Sequence, residues 1–171
     1  MQRGLQSVKI TLDEAMTQSL TVLDIGFGTL LFSLLLTISI IDMRTFRLPN
    51  TLNFTLLVTG LVYAYLTKIG LLNALIGAAI GYSFFVIVEV GFRKLRGVDG
   101  LGRGDAKLLA VGGAWCGWMG LPYIVLFGSL LGIIAALLPM FKTHAQGWVP
   151  FGPFLALGIF IVWTAQKLAG L

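Results

Sequence analysis

Two aspartates stand at the ends of long apolar runs, and they are the groups in this sequence best placed for chemistry. Asp42 closes the run 22–41, whereas Asp105 follows Gly-Leu-Gly-Arg-Gly at 100–104 and leads into the apolar run 108–118. Glycine at every second position lets the backbone approach another chain closely, so Asp105 is presented to a partner. Two carboxylates brought together can share one proton, one acting as acid and the other as base on a water that attacks a peptide bond.

The two carboxylates differ in the electrostatic surroundings that the sequence predicts. Asp42 ends a helix, where the macrodipole disfavours an anion, and Asp105 begins one, where the dipole favours an anion. We therefore expect Asp105 to be more often the ionised member of a coupled pair. Simpler roles stay open for each residue. Asp105 could act only as a helix N-cap, and Asp42 could pair with Arg44 or Arg47 in a solvated loop.

Other reactive side chains are scarce. Cys116 is the only cysteine and His144 the only histidine, so an intrachain disulfide, a four-ligand Cys/His zinc site and a His-rich metal centre are excluded. We expect neither a metal nor a cofactor. Cys116 is most simply a packed apolar residue. His144 has no serine in a Gly-x-Ser-x-Gly setting with which it could form a triad.

Three further acidic residues lie within or beside the apolar runs. Glu89 precedes Arg93 by four residues, a spacing typical of an ion pair on a helix. Asp24 is expected at the opposite membrane edge and Asp99 in a basic loop, so we expect both to be solvated. None of the three is therefore a candidate for the reaction.

The composition predicts an integral membrane protein. Of the 171 residues 57% are hydrophobic and only 11% charged, which is too little polar surface to coat a soluble globule. We interpret residues 1–21 as a polar lead-in to a retained first helix, not as a cleaved signal peptide, and residues 22–171 as one membrane domain. The expected fold is all-α, a bundle of six transmembrane helices, of which the fourth is marginal in length. The expected helices are 22–41, 52–69, 71–91, 106–118, 121–141 and 153–167.

The positions of the basic residues predict the orientation of the bundle. The loops at 42–53, 92–107 and 142–152 hold eight of the 12 Lys and Arg residues, so we place these loops in the cytoplasm and both termini on the non-cytoplasmic side. The same placement explains the net charge of +5 without nucleic acid as a partner. Asp42 and Asp105 then share the cytoplasmic membrane edge, which neither a helix cap nor a loop ion pair explains.

Small residues recur at the spacing that brings transmembrane helices together. Three pairs of glycines lie one helical turn apart, and such pairs let two helix backbones approach closely. We expect them to serve packing. The pairs are Gly77 and Gly81, Gly113 and Gly117, and Gly128 and Gly132.

Three stretches of the sequence resemble the type IV prepilin peptidases, bacterial membrane aspartic proteases with a Gly-x-Gly-Asp motif. Ile-Asp-Met-Arg at 41–44 with Leu-Pro-Asn at 48–50 resembles the first aspartate motif of that family. Residues 101–110 with 113–118 resemble the second motif, and 149–156 resemble the loop before the last helix. The stretches follow one another in the family's order, between the expected spans.

The resemblance implies that Asp42 and Asp105 are the catalytic pair of an aspartic endopeptidase in the bacterial inner membrane. The implied substrates are prepilins and pseudopilins, whose short basic leader is cut on the cytoplasmic side just before the hydrophobic segment. The implied wider partners are membrane lipid and the pilus or secretion assembly machinery. We expect the glycines before Asp105 to let the scissile backbone approach. The expected substrate-binding or supporting residues are Gly102, Gly104, Arg44 and Lys107.

The sequence departs from the family in one respect. Many bacterial members carry an N-terminal domain with paired Cys-x-x-Cys motifs that is linked to N-methylation, whereas this sequence has one cysteine. We therefore do not expect methyltransferase activity, and the chain resembles the shorter peptidase-only members or the catalytic part of a longer protein. Two alternatives are a cation-coupled small transporter and a non-catalytic pilus or secretion assembly subunit, and a non-catalytic subunit would tolerate Asp-to-Asn changes that a protease would not.

Overall fold

The computed structural model describes the backbone at residues 2–67, 69–96, 102–137 and 150–170, and the side chains in these ranges from residue 22 onward except that of Arg96. All regular structure in these ranges is helical. The helices are α1 (Gln2–Thr45), α2 (Asn50–Leu66), α3 (Leu71–Arg96), α4 (Arg103–Leu137) and α5 (Gly152–Leu168). Three stretches within them are long and apolar enough to cross a membrane, namely Val22–Thr45, Leu71–Leu95 and Arg103–Leu137.

Large apolar side chains cover the outside of the bundle. Leu36 in α1, Ile87 in α3 and Ile133 in α4 are 49%, 70% and 59% exposed. Soluble proteins rarely expose extended apolar surface of this kind, whereas lipid accommodates it. The outer surface therefore agrees with the all-helical membrane class that the composition predicts.

Helix α1 begins earlier than the sequence predicts. The expected start is residue 22, where the charged residues of the lead-in end, but the backbone is helical from Gln2 through Thr45. The expected start of the membrane span agrees with the apolar stretch Val22–Thr45, but hydropathy marks where a helix becomes apolar and not where its backbone becomes helical, and Arg, Lys, Glu and Gln all have high helix propensity.

Helix α4 combines the expected fourth and fifth helices. Helical structure runs from Arg103 to Leu137, but Gly117 has φ 69° and ψ 176°, which is far from helical geometry. A Cβ added at Gly112 would lie 3.0 Å from Ile124 Cδ1. A straight helix would separate these two residues by about 18 Å. The two arms of α4, residues 103–116 and 118–137, therefore fold back on each other at Gly117.

The reversal at Gly117 is why the described part of the chain has five helices where the sequence predicts six. A glycine reaches positive φ without strain, so one residue turns the chain and no separate loop interrupts the helix. The turn leaves carbonyl groups without helical partners, and Gln166 Nε2 on α5 donates to one of them, the Cys116 oxygen, at 3.0 Å.

Contacts at one end of the bundle show how the helices alternate in direction. Asp42 in the last turn of α1 contacts Gly152, the first residue of α5. Lys107 in the second turn of α4 donates to the side-chain oxygen of Asn50, the first residue of α2, at 2.6 Å. The end of α1 and the beginnings of α2, α4 and α5 therefore meet at the same end of the bundle. We call the pair Asp42 and Asp105 the dyad, and this end the dyad end. Asp42 and Asp105 share an end of the bundle, as the sequence predicts.

Glycines form the closest helix contacts, which confirms the expected packing role for Gly77, Gly81, Gly113 and Gly128, whereas Gly117 forms the turn of α4 instead. A Cβ added at Gly77 in α3 would collide with the Gly113 oxygen in α4, and one at Gly81 would lie 2.7 Å from the Leu109 oxygen. Between α4 and α5, a Cβ at Gly158 would lie 2.9 Å from the oxygen of Ile124. Backbone thus packs directly on backbone along α4, which holds its first arm firmly in the bundle.

An aromatic cluster fills the core around that first arm. Trp115 is fully buried, stacks on Tyr63 with ring centroids 5.2 Å apart, and meets Trp163 edge-on at 6.5 Å. Its indole N–H donates to the Leu56 oxygen at 2.8 Å, so the ring also joins α4 to α2. Cys116 beside it is 4% exposed, which confirms its expected role as a packed apolar residue.

Asp24 is only partly solvated, with 28% of its side chain exposed, whereas the sequence-based expectation was a solvated side chain. The Tyr63 hydroxyl donates to Asp24 Oδ1 at 2.5 Å, and Lys167 Nζ lies 3.8 Å from the same oxygen. The expectation was wrong because the last turn of α5 brings a cation to a residue far away in sequence. The cluster joins α1, α2 and α5 at the end opposite the dyad end. The other acidic residue expected to be solvated, Asp99, lies outside the described residues, as does His144.

Candidate active site

Asp42 lies where α1 stops. Its backbone oxygen accepts the last helical hydrogen bond, from the Phe46 N–H at 2.8 Å, and Phe46 then leaves the helix with φ 53°. Pro49 follows and cannot continue a helix, so the chain turns within four residues into α2. The Asp42 residue is only 5% exposed although it is at a helix end.

The partner of Asp42 is the beginning of α5. The backbone N–H of Gly152 donates to the Asp42 carboxylate. A Cβ added at Gly152 would collide with Asp42 Oδ2, so only glycine fits at this contact. The residue at the N-cap position of α5, Phe151, makes no side-chain capping bond. Asp42 therefore takes the place of an N-cap for a helix that begins 110 residues later in the chain.

Asp105 occupies the first turn of α4 and is partly buried. Its backbone N–H donates to the Gly102 oxygen at 3.0 Å, and its carboxylate accepts a hydrogen bond from the Gly102 N–H. Such a carboxylate in the first turn that reaches back to the preceding N–H is half of a capping box. Asp105 is therefore not the N-cap considered from the sequence but the third residue of α4, whose carboxylate binds the N–H of the residue before the helix.

The two carboxylates are neighbours. The negative charge of Asp42 acts repulsively on the Asp105 carboxylate, so each lies within range of the other's charge. Leu48 shows the same proximity sterically: Cβ atoms added at Gly104 and at Gly152 would lie 3.0 and 3.2 Å from its side chain. Leu48 thus packs beside both the glycine before Asp105 and the glycine that binds Asp42.

The electrostatic difference expected between the two aspartates is offset by α5. The sequence places Asp42 at the unfavourable C-terminus of α1, but its carboxylate also faces the N-terminus of α5, where an anion is stabilised. Each carboxylate therefore has one backbone N–H donor at a helix N-terminus. Which of the two is more often ionised stays a prediction.

The alternative role of Asp42 as a loop ion-pair partner has no support in the described residues. Arg44 and Arg47 are both exposed, and neither forms an ion pair with Asp42 there. Arg44, one of the expected supporting residues, lies in the last turn of α1. Among the described residues, its side chain forms neither a hydrogen bond nor an ion pair with either aspartate.

The other expected supporting residues surround the start of α4. Gly102 is exposed and contacts the Asp105 carboxylate, since an added Cβ would lie 3.5 Å from Oδ2. Gly104 packs on Leu48, and Lys107 binds Asn50 on the far side of α4 from Asp105. Of the four supporting residues, Gly102 and Gly104 are therefore next to the carboxylates and Lys107 lies beyond them.

Glu89 adds a contact between α3 and the glycine-rich segment. It is 7% exposed, and its Oε1 lies 3.5 Å from Nε of Arg103, the first residue of α4. The spacing in the sequence predicts Arg93 as the partner of Glu89, four residues later on the same helix. The contact with Arg103 joins the end of α3 to a residue two positions before Asp105.

Sequence reasoning missed the role of Gly152. The stretch Pro-Phe-Gly-Pro at 150–153 is identified as part of a motif, but nothing in its composition shows that its glycine faces an aspartate on another helix. A usable signal was the sequence Phe-Gly-Pro at 151–153. Phe151 has no side-chain acceptor with which to cap α5 and Pro153 has no N–H, so the N–H of Gly152 is left for an acceptor from another helix.

Comparison with known proteins gives a consistent result. The model of the type IV leader peptidase family matches residues 29–137, which include Asp42 and Asp105. Proteins named prepilin leader peptidase/N-methyltransferase are similar to this chain: 44% identity over 134 residues for that of Escherichia coli K12, 43% over 136 for Burkholderia pseudomallei and 38% over 178 for Aeromonas salmonicida.

These matches cover a larger share of this chain than of the relatives. They cover 77%, 78% and 94% of this chain, but only 60%, 43% and 61% of the Escherichia, Burkholderia and Aeromonas proteins. The chain thus spans about half the length of the curated relatives it matches. No solved structure matches it.

Proposed function

Because the chain belongs to the type IV leader peptidase family, we propose that it is a membrane aspartic endopeptidase that removes the leader of type IV prepilins or pseudopilins. The observation that carries the proposal is the pair of neighbouring carboxylates, Asp42 and Asp105, held at the beginnings of α5 and α4. Two carboxylates at one buried site favour a state with a single proton between them, which supplies an acid and a base together.

The proposed reaction uses that shared proton. The ionised carboxylate takes a proton from a water as the water oxygen attacks the scissile carbonyl carbon, and the protonated carboxyl gives its proton to the carbonyl oxygen. The tetrahedral intermediate then loses its amine, which takes a proton from the first carboxyl, while a hydroxyl of the intermediate returns a proton to the second. One water is consumed, no covalent enzyme intermediate forms, and the dyad ends with one proton again.

Gly152 and Gly102 hold the two carboxylates in this mechanism. Each donates a backbone N–H to one aspartate, so both carboxylates stay oriented while protons move between them. Glycine is required at 152 for close approach to Asp42 and at 104 for close packing on Leu48, whereas the exposed Gly102 leaves the Asp105 carboxylate accessible to a peptide.

The membrane side of the reaction follows from loop charge and stays part of the proposal. With the basic loops in the cytoplasm, the dyad end faces the cytoplasm of a bacterial inner membrane and both termini lie outside. The substrate would enter from the lipid with its basic leader on the cytoplasmic side. Lipid and the pilus or secretion assembly machinery are the further partners of the protein.

We assign only the peptidase reaction to this chain. Its relatives are named for N-methyltransferase activity as well, but the chain spans about half their length and holds a single cysteine, so no paired Cys-x-x-Cys motif is present in it. Cation transport is the less favoured function, because the two aspartates lie together at one end of the bundle and do not line a path through it.

Single substitutions of the aspartates test the proposal. We expect Asp42→Asn and Asp105→Asn each to abolish leader removal from a tagged prepilin in membranes, because an amide can neither hold the shared proton nor act as a base. The matched control is Asp24→Asn at the opposite end of the bundle, which should cleave normally. Cleavage by both dyad variants at the wild-type rate would rule out the two-aspartate mechanism.

A further inference from the structure

A cleft between α2, α3 and α4 opens at the dyad end, on the other side of α4 from Asp105. Its volume is about 440 Å³. It begins at the first residue of α2 and runs along one face of that helix toward the middle of the bundle. The residues that line it include Asn50, Asn53, Phe54, Leu57, Tyr82 and Lys107.

Asn53 is the unusual residue of this cleft. It is 4% exposed, and neither its amide oxygen nor its amide nitrogen has a hydrogen-bond partner among the described residues. The other two asparagines are paired, since Asn50 accepts from Lys107 and Asn73 donates to the Ile69 oxygen. A buried amide without partners destabilises a fold, so its presence in a cleft points to a ligand that supplies the missing partners.

The chemistry of the cleft selects a polypeptide as that ligand. The Asn53 amide offers one acceptor and two donor hydrogens, which match the N–H and C=O of a peptide backbone. The surrounding side chains of Phe54 and Leu57 are apolar and suit apolar side chains on either side of such a backbone. A lipid acyl chain has no polar group, and its ester has acceptors only, so lipid would leave the Asn53 oxygen unpaired.

We propose that this cleft is a substrate subsite, in which Asn53 binds the main chain of the apolar segment that follows the scissile bond. The inference rests on the proposed function, because it takes its substrate from there. In this proposal Asn53 is a specificity-determining residue outside the dyad. Lys107 lies at the opening of the subsite, where its ammonium group donates to Asn50.

The distance between the cleft and the dyad determines how many residues separate the scissile bond from the substrate residues in the cleft. Lys107 follows Asp105 by two residues, so their side chains point about 200° apart around α4. A substrate that crosses the glycine-rich start of α4 must pass a helix roughly 10–12 Å wide. At about 3.3 Å per extended residue this takes three to four residues, so Asn53 should meet positions roughly three to five after the cut.

The first test replaces the Asn53 amide with an apolar group of similar size. Asn53→Leu should raise KM for prepilin about tenfold, the effect of losing one good hydrogen bond, with kcat changed less than about twofold. The melting temperature should stay the same or rise, because a buried unpaired amide has been removed. If Asn53 had only a structural role, its replacement would not weaken substrate binding while leaving the melting temperature equal or higher. The matched control, Asn73→Leu on the exposed face of α3, should leave KM unchanged.

The second test locates the substrate directly. In an Asp105→Asn background, a photoreactive p-benzoylphenylalanine in place of Phe54 should crosslink to prepilin within about five residues after the cut. The same group in place of the exposed Tyr123 on the second arm of α4 should not. Adducts with lipid alone, or an unchanged KM for Asn53→Leu while the wild type cleaves, would overturn the subsite but leave the peptidase standing. A wild type that cleaves no prepilin would overturn both.

Discussion

The Asp42 carboxylate interacts with the N-terminus of α5, although Asp42 itself is part of α1. In sequence it ends α1, but its carboxylate binds the N–H of Gly152 and so caps α5. This contact offsets the unfavourable end of the α1 dipole and holds the carboxylate at the beginning of α5. The residues that matter for the dyad therefore include a glycine with no reactive group, whose contribution is an N–H and the absence of a Cβ.

Gly152→Ala should impair catalysis while the protein still inserts and folds. The new methyl group would collide with Asp42 Oδ2, so the carboxylate must move away from its N–H donor. Displacement of a reacting group by about 1 Å commonly costs about 100-fold in rate, and we expect kcat for leader removal to fall by at least that factor.

A glycine in a similar region serves as control for this substitution. An added Cβ at Gly132 would make ordinary contacts of 3.5 Å with Phe151, the residue before Gly152. Gly132→Ala should therefore keep wild-type kcat, measured with the same tagged prepilin. Equal kcat values for Gly132→Ala and Gly152→Ala would show that Asp42 does not depend on the Gly152 contact.

At the scale of elements, the contact between α3 and the first arm of α4 determines where Asp105 lies. Gly77 and Gly113 touch through their backbones, and each would collide with the other's backbone if it carried a Cβ. Gly113→Ala should lower the free energy of unfolding in detergent by about 1–3 kcal/mol, because neither backbone can retreat without moving its whole helix.

Gly91→Ala in α3 is the matched control for Gly113→Ala. No atom lies within 4 Å of the position of an added Cβ at Gly91, so this variant should be unchanged or more stable by up to about 1 kcal/mol through its higher helix propensity. Chemical or thermal unfolding of the two variants side by side provides the measurement. A Gly113→Ala protein as stable as Gly91→Ala would mean that the α3–α4 contact is looser than the structure indicates.

The positions of the elements followed from the sequence better than their boundaries did. Apolar runs bounded by Pro and Gly place α2, α3 and α5 within a few residues, because burial in lipid demands long apolar helices. The reversal at Gly117 lies next to the break that the sequence predicts between residues 118 and 121, but its geometry, a turn at one glycine with no loop, was not predictable from hydropathy. Asp42 and Asp105 were found because Asp42 follows one apolar run and Asp105 leads into another. Gly152 and Asn53 were not, because their roles depend on contacts between separate helices.

At the scale of the whole molecule, the two ends of the bundle are built differently. The opposite end is closed by the cluster of Asp24, Tyr63 and Lys167, which joins three helices through a hydrogen bond and an ion pair. The dyad end has its carboxylates, the glycine-rich start of α4 and the opening of the cleft. A bundle tied together at one end and accessible at the other fits a protein that receives its substrate at only one membrane surface.

That surface can be identified by labelling from each side. Thr51 at the dyad end and Ala169 at the opposite end are both exposed, and the native Cys116 is buried, so single cysteines at 51 and 169 can be labelled selectively. With the basic loops in the cytoplasm, a membrane-impermeant maleimide should label Ala169→Cys in spheroplasts and Thr51→Cys in inverted membrane vesicles. Leader removal by both variants shows that they are folded. The reverse pattern would place the dyad outside the cytoplasm, where it could not cut a leader that stays on the cytoplasmic side.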